Sequence, residues 1–195
     1  SRIQKFVLLK GKRFDPRKLV ACTILMEGRQ SEVEHEREAV FATAKEFGGL
    51  SGGSSNGKRG YTLTFGIAYI RDFLNQFGIL GETFETSVPW NKIHDVVNSV
   101  GVKLREQCES YGVMGFPYLS YRVTQTYHTG VCIYFTMGFI GRGLDDPVGT
   151  YHDIEHSLRQ TILGAGGSLS HHHGVGKIRQ SFLPQRESEG SLELV

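Results

Sequence analysis

The apolar positions of this chain fall into runs, stripes and alternations that predict different elements. Leu19-Val20-Ala21-Cys22-Thr23-Ile24-Leu25-Met26 is a continuous apolar run closed by Glu27-Gly28, the pattern of a strand buried on both faces. Ser31-Glu32-Val33-Glu34 has the form of a capping box. Behind it Val40, Phe41, Ala44 and Phe47 recur at helical spacing, and Gly48 supplies the stop. Gly48 to Gly60 is rich in glycine and serine and predicts a loop, with a helix resuming near Tyr61 and running to Phe77 on Phe65, Ala68, Ile70, Phe73 and Leu74. Glu82 to Val88 is strand-like, and Pro89 suits the first turn of a helix whose stripe is Ile93, Val96, Val97, Val100, Leu104 and Cys108. Gly112 ends that helix.

Strict alternation follows. Leu119, Tyr121 and Val123 alternate with Ser120, Arg122 and Thr124, and Val131, Ile133, Phe135, Met137 and Phe139 alternate with Cys132, Tyr134, Thr136 and Gly138. The turn signal Tyr127-His128-Thr129-Gly130 between them predicts an antiparallel hairpin. Asp146-Pro147 opens a last helix through Tyr151, Ile154, Leu158 and Ile162, and beyond Gln180 a polar, loose tail is expected. The order strand, helix, helix, strand, helix, hairpin, helix makes an α+β domain, a largely antiparallel sheet covered by helices.

Composition narrows the function classes. The 195 residues are 39% hydrophobic and 22% charged, ordinary for a globular chain. Twenty-two Lys and Arg against 20 acids leave a formal charge of +2, so there is no electrostatic reason to expect nucleic acid as partner. Cys22, Cys108 and Cys132 lie far apart without a CxxC pair, which favours a reducing compartment over a disulfide framework. No run of 18 or more apolar residues is present. The chain opens Ser1-Arg2-Ile3 without Met and reads as a piece of something longer.

Several stretches carry candidate chemistry. Gly52-Gly53-Ser54-Ser55-Asn56-Gly57-Lys58-Arg59 approaches a phosphate loop, but arginine stands where the magnesium-binding hydroxyl belongs, and a ligand-covering loop is the better reading. Arg71, in an apolar helical stretch, wants an anion: either neighbouring Asp72 or a bound carboxylate or phosphate held in a bidentate fork. Tyr134 is on the polar face of its strand, where it either fills the sheet surface or serves as a base. His152 and His156, at i and i+4 in Tyr151-His152-Asp153-Ile154-Glu155-His156, lack the HExxH order and read as a solvated helix face. His171-His172-His173 between glycines is the least ordinary stretch, with imidazoles able to donate to phosphate or a cofactor ring. Metal is a distant reading, because sequence neighbours point in different directions.

Ser168-Leu169-Ser170-His171-His172-His173-Gly174-Val175-Gly176-Lys177 resembles the C-terminal signature of the alkylglycerone-phosphate synthase family, flavoproteins of the vanillyl-alcohol-oxidase type. Arg122 to Tyr127 with Cys132-Ile133-Tyr134-Phe135, Ala68-Tyr69-Ile70-Arg71-Asp72, Gly81 to Ser87, and Pro89-Trp90 resemble further family segments in the same order, so the resemblance runs from about Phe6 to about Gln180. It implies a substrate-binding cap domain over 1–180, a polar tail over 181–195, and an FAD-binding half outside this chain. It implies tightly bound FAD, and exchange of the acyl chain of acyl-dihydroxyacetone phosphate for a long-chain fatty alcohol without net redox change. Tyr134 then matches the tyrosine that removes a proton from the reacting carbon, and Arg71 the arginine that binds the expelled carboxylate. His172 and His173 match histidines at the flavin and the substrate headgroup, with His171 beside them. A peroxisomal homodimer near the membrane surface goes with the resemblance, as does inactivity of this piece alone. His128-Thr129 and Thr136-Met137-Gly138 depart from the family where acidic and aromatic residues are expected. The competing readings are the cap of a flavin-dependent hydroxy-acid oxidase or dehydrogenase, and a non-catalytic lipid-binding remnant.

Overall fold

The computed structural model of the chain describes Asp15 and residues 18–194; the opening Ser1-Arg2-Ile3 and the terminal Val195 lie outside the described residues. The chain divides into two compact units between residues 68 and 69.

In the first unit, α1 (Gln30–Glu46) starts after Arg29, whose amide donates to Glu32 Oε2 at 3.0 Å, so the cap closes two residues ahead of the one predicted. α1 has no buried residue, and Phe41 and Phe47 are exposed. The Leu19–Met26 run is irregular and Val20 is 86% exposed, which corrects the expectation of a doubly buried strand. A strand exists only through its ladder, and among the described residues of this unit nothing pairs with the run. α2 (Ser54–Asn75) begins seven residues before the predicted start, so Ser54 to Arg59 of the phosphate-loop look-alike are helical. Phe65, Ile70 and Phe73 of α2 are exposed, so among the described side chains of this helix there is no buried stripe.

The core belongs to the second unit. β1 (Ile79–Pro89), β2 (Met114–Thr126) and β3 (Gly130–Ile140) form one antiparallel sheet in the order β1-β3-β2. Residues directly opposite share a face, and the register sets Phe84 opposite Phe135, whose rings stack at 5.1 Å, and Thr86 opposite Ile133. This face is covered by α3 (Ile93–Ser110) and α4 (Pro147–Gly164). Val96, Val100, Leu104 and Cys108 recur every four residues and are buried, as are Ile154, Leu158 and Ile162. A 3₁₀ turn, Trp90–Lys92, joins β1 to α3, and Asp146 caps α4 by accepting from the Gly149 amide at 2.9 Å. The α+β architecture, the hairpin and both stripes are as expected.

Gly130 at the start of β3 has no room for a side chain, since a Cβ there would stand 2.1 Å from the Val88 carbonyl oxygen. The stretch after Gln180 is not a loose tail at its start. A short helix α5 (Gly176–Arg179) and a 3₁₀ segment (Gln180–Gln185) bury Arg179 and Phe182, and the Phe182 ring lies 4.5 Å from that of His156. One large apolar side chain anchors a segment that is polar on average. The final turn, α6 (Glu189–Leu192), has no buried residue.

Candidate functional site

The face of the sheet turned away from α3 and α4 is polar. In register across it stand Glu85, Tyr134 and Arg122, with Ser87 and Cys132 in the next row. The alternation that buries Phe135 and Ile133 on one side presents Cys132 and Tyr134 on the other.

The histidine segment is fastened to β1. The Ser168 amide donates to the Ser87 carbonyl at 2.9 Å, the Ser87 amide donates to Ser168 Oγ at 2.8 Å, and Thr86 Oγ1 donates to the Ser168 carbonyl at 2.8 Å. Gly167 lets the chain approach, because a Cβ there would lie 2.5 Å from Ile162 Cγ2 and 2.7 Å from Thr86 Oγ1. Beyond this anchor the segment closes around Glu85, which is 1% exposed. Its carboxylate accepts from Ser170 Oγ at 2.9 Å and from the amides of His171, His173 and His172 at 2.6, 3.1 and 3.4 Å. Burial pushes the Glu85 carboxyl up, but the amides of His173 and His171, the Ser170 hydroxyl and the His172 amide together hold it below the usual carboxylate range.

The imidazoles then gather around Tyr134. The His172 ring stacks on it at 6.1 Å and 22°, the His173 ring meets it edge-on at 5.5 Å, and the Arg122 guanidinium sits 4.9 Å from its centroid. Tyr134 Oη donates to Thr83 Oγ1 at 3.1 Å. Tyr127 Oη and His171 Nε2 are 2.9 Å apart, as are the Nδ1 atoms of His171 and His172. If Tyr127 donates, His171 carries its proton on Nδ1 and passes the polarity to His172, which is left with an Nε2–H. Desolvation lowers the His173 pKa; Glu85 opposes that effect, while His172, Arg179 and Arg159 add to it.

Glu85, Cys132, His171 and His172 each bring one potential ligand atom within 4.8 Å of the others. These are zinc-type residues, but the Glu85 oxygens already receive four donors, and burial pushes the Cys132 thiol up, against the thiolate a metal requires. The geometry suits a hydrogen-bonded cluster better than a coordination sphere.

Of the residues singled out in the sequence, the structure brings together Tyr134, His171, His172 and His173. Arg71 takes no part in this network: two-thirds exposed near the end of α2, it pairs with Asp72 at 3.6 Å. The His152–His156 region is not wholly a solvated face, because Glu155 is buried in an ion pair with Arg159. Glu85, Arg122 and Tyr127 were not singled out. Glu85 has the polar-face parity of Tyr134, but burial of a strand glutamate leaves no signal in an alternating pattern.

The family model of FAD linked oxidases, C-terminal domain, matches residues 3–195. The chain is 41% identical over 183 residues to alkyldihydroxyacetonephosphate synthase of Caenorhabditis elegans, covering 94% of this chain and 31% of that protein. The enzyme of the same name from Dictyostelium discoideum is 27% identical, with 93% and 29% covered. A solved structure of alkyldihydroxyacetonephosphate synthase superposes with a TM-score of 0.60 at 22% identity, covering 82% of this chain and 29% of that one, and shares the fold. The chain spans about a third of the length of the curated relatives it matches.

Proposed function

The chain belongs to the family of C-terminal domains of FAD-linked oxidases, and from that premise we propose that residues 1–180 are the substrate-binding cap of an ether-lipid flavoenzyme. The enzyme exchanges the acyl chain of acyl-dihydroxyacetone phosphate for a long-chain fatty alcohol. The observation that supports this most is the packing of His172 and His173 against the Tyr134 ring on the polar face of the sheet.

The residues present fit a flavin. His172 and His173 are exposed, and desolvation lowers the His173 pKa and so favours its uncharged form; the face offers flat rings and imidazole N–H donors. His171, His172 and His173 would hold FAD on this side, and FAD when bound supplies the electron sink that lets one substituent leave the substrate carbon and another arrive without net redox change. Tyr134 Oη, once it has given up its own proton, takes the proton from that carbon as the phenolate, in its setting beneath the Arg122 guanidinium. Arg71 exchanges its exposed contact with Asp72 for a bidentate grip on the expelled fatty carboxylate. His172 and His173 orient the headgroup. On the same resemblance the full-length enzyme works as a homodimer in the peroxisome, at the membrane surface.

The test uses the full-length flavoprotein that contains this chain, with its visible spectrum recorded and with acyl-dihydroxyacetone phosphate and labelled fatty alcohol supplied without an electron acceptor. Ether product is expected, and Tyr134→Phe is expected to lower kcat by about 10²–10⁴-fold with flavin content unchanged. Arg71→Ala is expected to lower kcat/KM while the flavin spectrum stays the same. Flavin bleaching by substrate and a need for an acceptor would move the reading to a hydroxy-acid oxidase. Absence of flavin would leave a lipid-binding domain.

A further inference from the structure

Three successive backbone amides do not converge on one point in a helix or a strand, yet those of His171, His172 and His173 all donate to Glu85. Such convergence makes a concavity that suits an anion. The Glu85 carboxylate is that anion, and the Ser170 hydroxyl completes its shell. Its charge is balanced by Arg179 Nη2 at 3.8 Å, and the His173 ring brings Nδ1 within 3.9 Å. Arg179 in turn donates to the Gly174 carbonyl, just past the last histidine, so both ends of the triplet are gripped by one buried ion pair. Arg179 Nε is buried with no partner, a cost accepted to keep the guanidinium at this position. Glu85 is also the cross-strand neighbour of Tyr134, on the same face of the sheet. The residue that fixes the histidine backbone is thus fixed, by strand register, relative to the tyrosine.

We propose that Glu85 is the positioning residue of this site: its carboxylate sets the backbone of His171–His173 so that the imidazoles of His172 and His173 stand against Tyr134. Its consequence for turnover rests on the function proposed above, whereas its effect on the imidazoles does not. A merely structural Glu85 would lower stability when replaced and leave the imidazoles of the folded molecules unchanged. A positioning Glu85 changes what the histidines do in protein that is still folded.

The experiment compares wild type, Glu85→Gln and Glu85→Asp in the flavin-loaded full-length protein containing this chain. Histidine side chains are followed by ¹⁵N-resolved NMR titration, and exchange activity is followed by kcat and KM. The charged groups facing His173 are Glu85, Arg179 and Arg159, with His172 and Tyr134 against its ring. Of these charges only Glu85 favours the protonated ring, so Glu85→Gln is expected to move the His173 titration to lower pH. It is also expected to lower kcat by about 10- to 100-fold, the usual effect of removing a group that orients an active one. KM should change little. Glu85→Asp keeps the charge but not the reach, and should fall between the two on both readouts; it carries the test if Glu85→Gln does not fold. Unchanged imidazole titrations, with kcat reduced only in proportion to the folded fraction, would overturn the proposal. If the wild type makes no ether product, the functional reading fails, and the titrations alone decide the role of Glu85.

Discussion

Ser168 fastens the histidine segment to the sheet before any imidazole is reached. Its Oγ accepts from the Ser87 amide at 2.8 Å and the Ser87 hydroxyl at 2.9 Å, and donates to the Ser170 carbonyl at 3.2 Å. Ser168→Ala leaves the Ser87 amide and the Ser170 carbonyl without these partners in a partly buried place. The expected loss is about 1–3 kcal/mol in urea unfolding. Hydrogen exchange at the His171–His173 amides should quicken more than exchange in α3, since the anchor is local to the segment. Equal acceleration in both would mean that Ser168 stabilises the whole unit and has no special hold on the site. At this scale the histidines and Tyr134 were legible in the sequence, because three adjacent imidazoles between glycines are rare and the strand parity of Tyr134 is unambiguous. Glu85 was not legible, since what distinguishes it is a turn made by residues 85 positions later in the chain.

Elements with a repeating apolar pattern and a partner to bury it against could be read directly. Val131 to Phe139 alternate because one side of β3 faces α3 and α4, and the Val96–Cys108 stripe is the complement of that face. Leu19–Met26 and the apolar positions of α1 and α2 show the limit: apolar residues predict burial only where something covers them, and Val20, Phe47, Phe65 and Phe73 are exposed. α4 hides a further feature. Glu155 and Arg159 sit one turn apart, 5–6% exposed, and form an ion pair beneath the Phe84 ring, with the Arg159 guanidinium 6.0 Å from its centroid. Burial pushes the Glu155 carboxyl up and Arg159 pulls it back. Removing one partner strands the other charge, so Glu155→Ala is expected to cost about 3–5 kcal/mol. The double replacement Glu155→Leu with Arg159→Met should cost less than that single change, because no charge stays buried. Chemical denaturation of both variants checks this, and a double variant worse than the single would mean that the pair contributes net stability.

Among the described residues, three groups with shifted titration act on stability against acid, with different signs. His173, desolvated, has its pKa below the ordinary 6.5, so the folded state takes up its proton less readily than the unfolded chain. Stability is therefore lost as pH falls from about 6.5 through the folded value. Glu85 is also depressed, below the ordinary 4.5, and its contribution is present above that range and lost as pH falls through the folded value. Glu155 is raised, so it costs stability above its folded pKa, and that cost is relieved as pH falls towards 4.5. The sum is a two-step acid limb with an opposing contribution between the steps. Urea unfolding at intervals from pH 8 to pH 3 should resolve it. In His173→Gln the loss beginning near pH 6.5 should vanish while the loss below 4.5 remains. In Glu85→Gln the lower step should vanish, and the upper one should extend to lower pH, because Glu85 is the charge that supports protonated His173. The gap between wild type and Glu85→Gln should accordingly narrow as pH falls through the folded pKa of the carboxylate. A gap that stays constant from pH 8 to pH 3 would mean that the ionised form of Glu85 has no special hold on the histidine amides, and that its contribution is one of shape and packing alone.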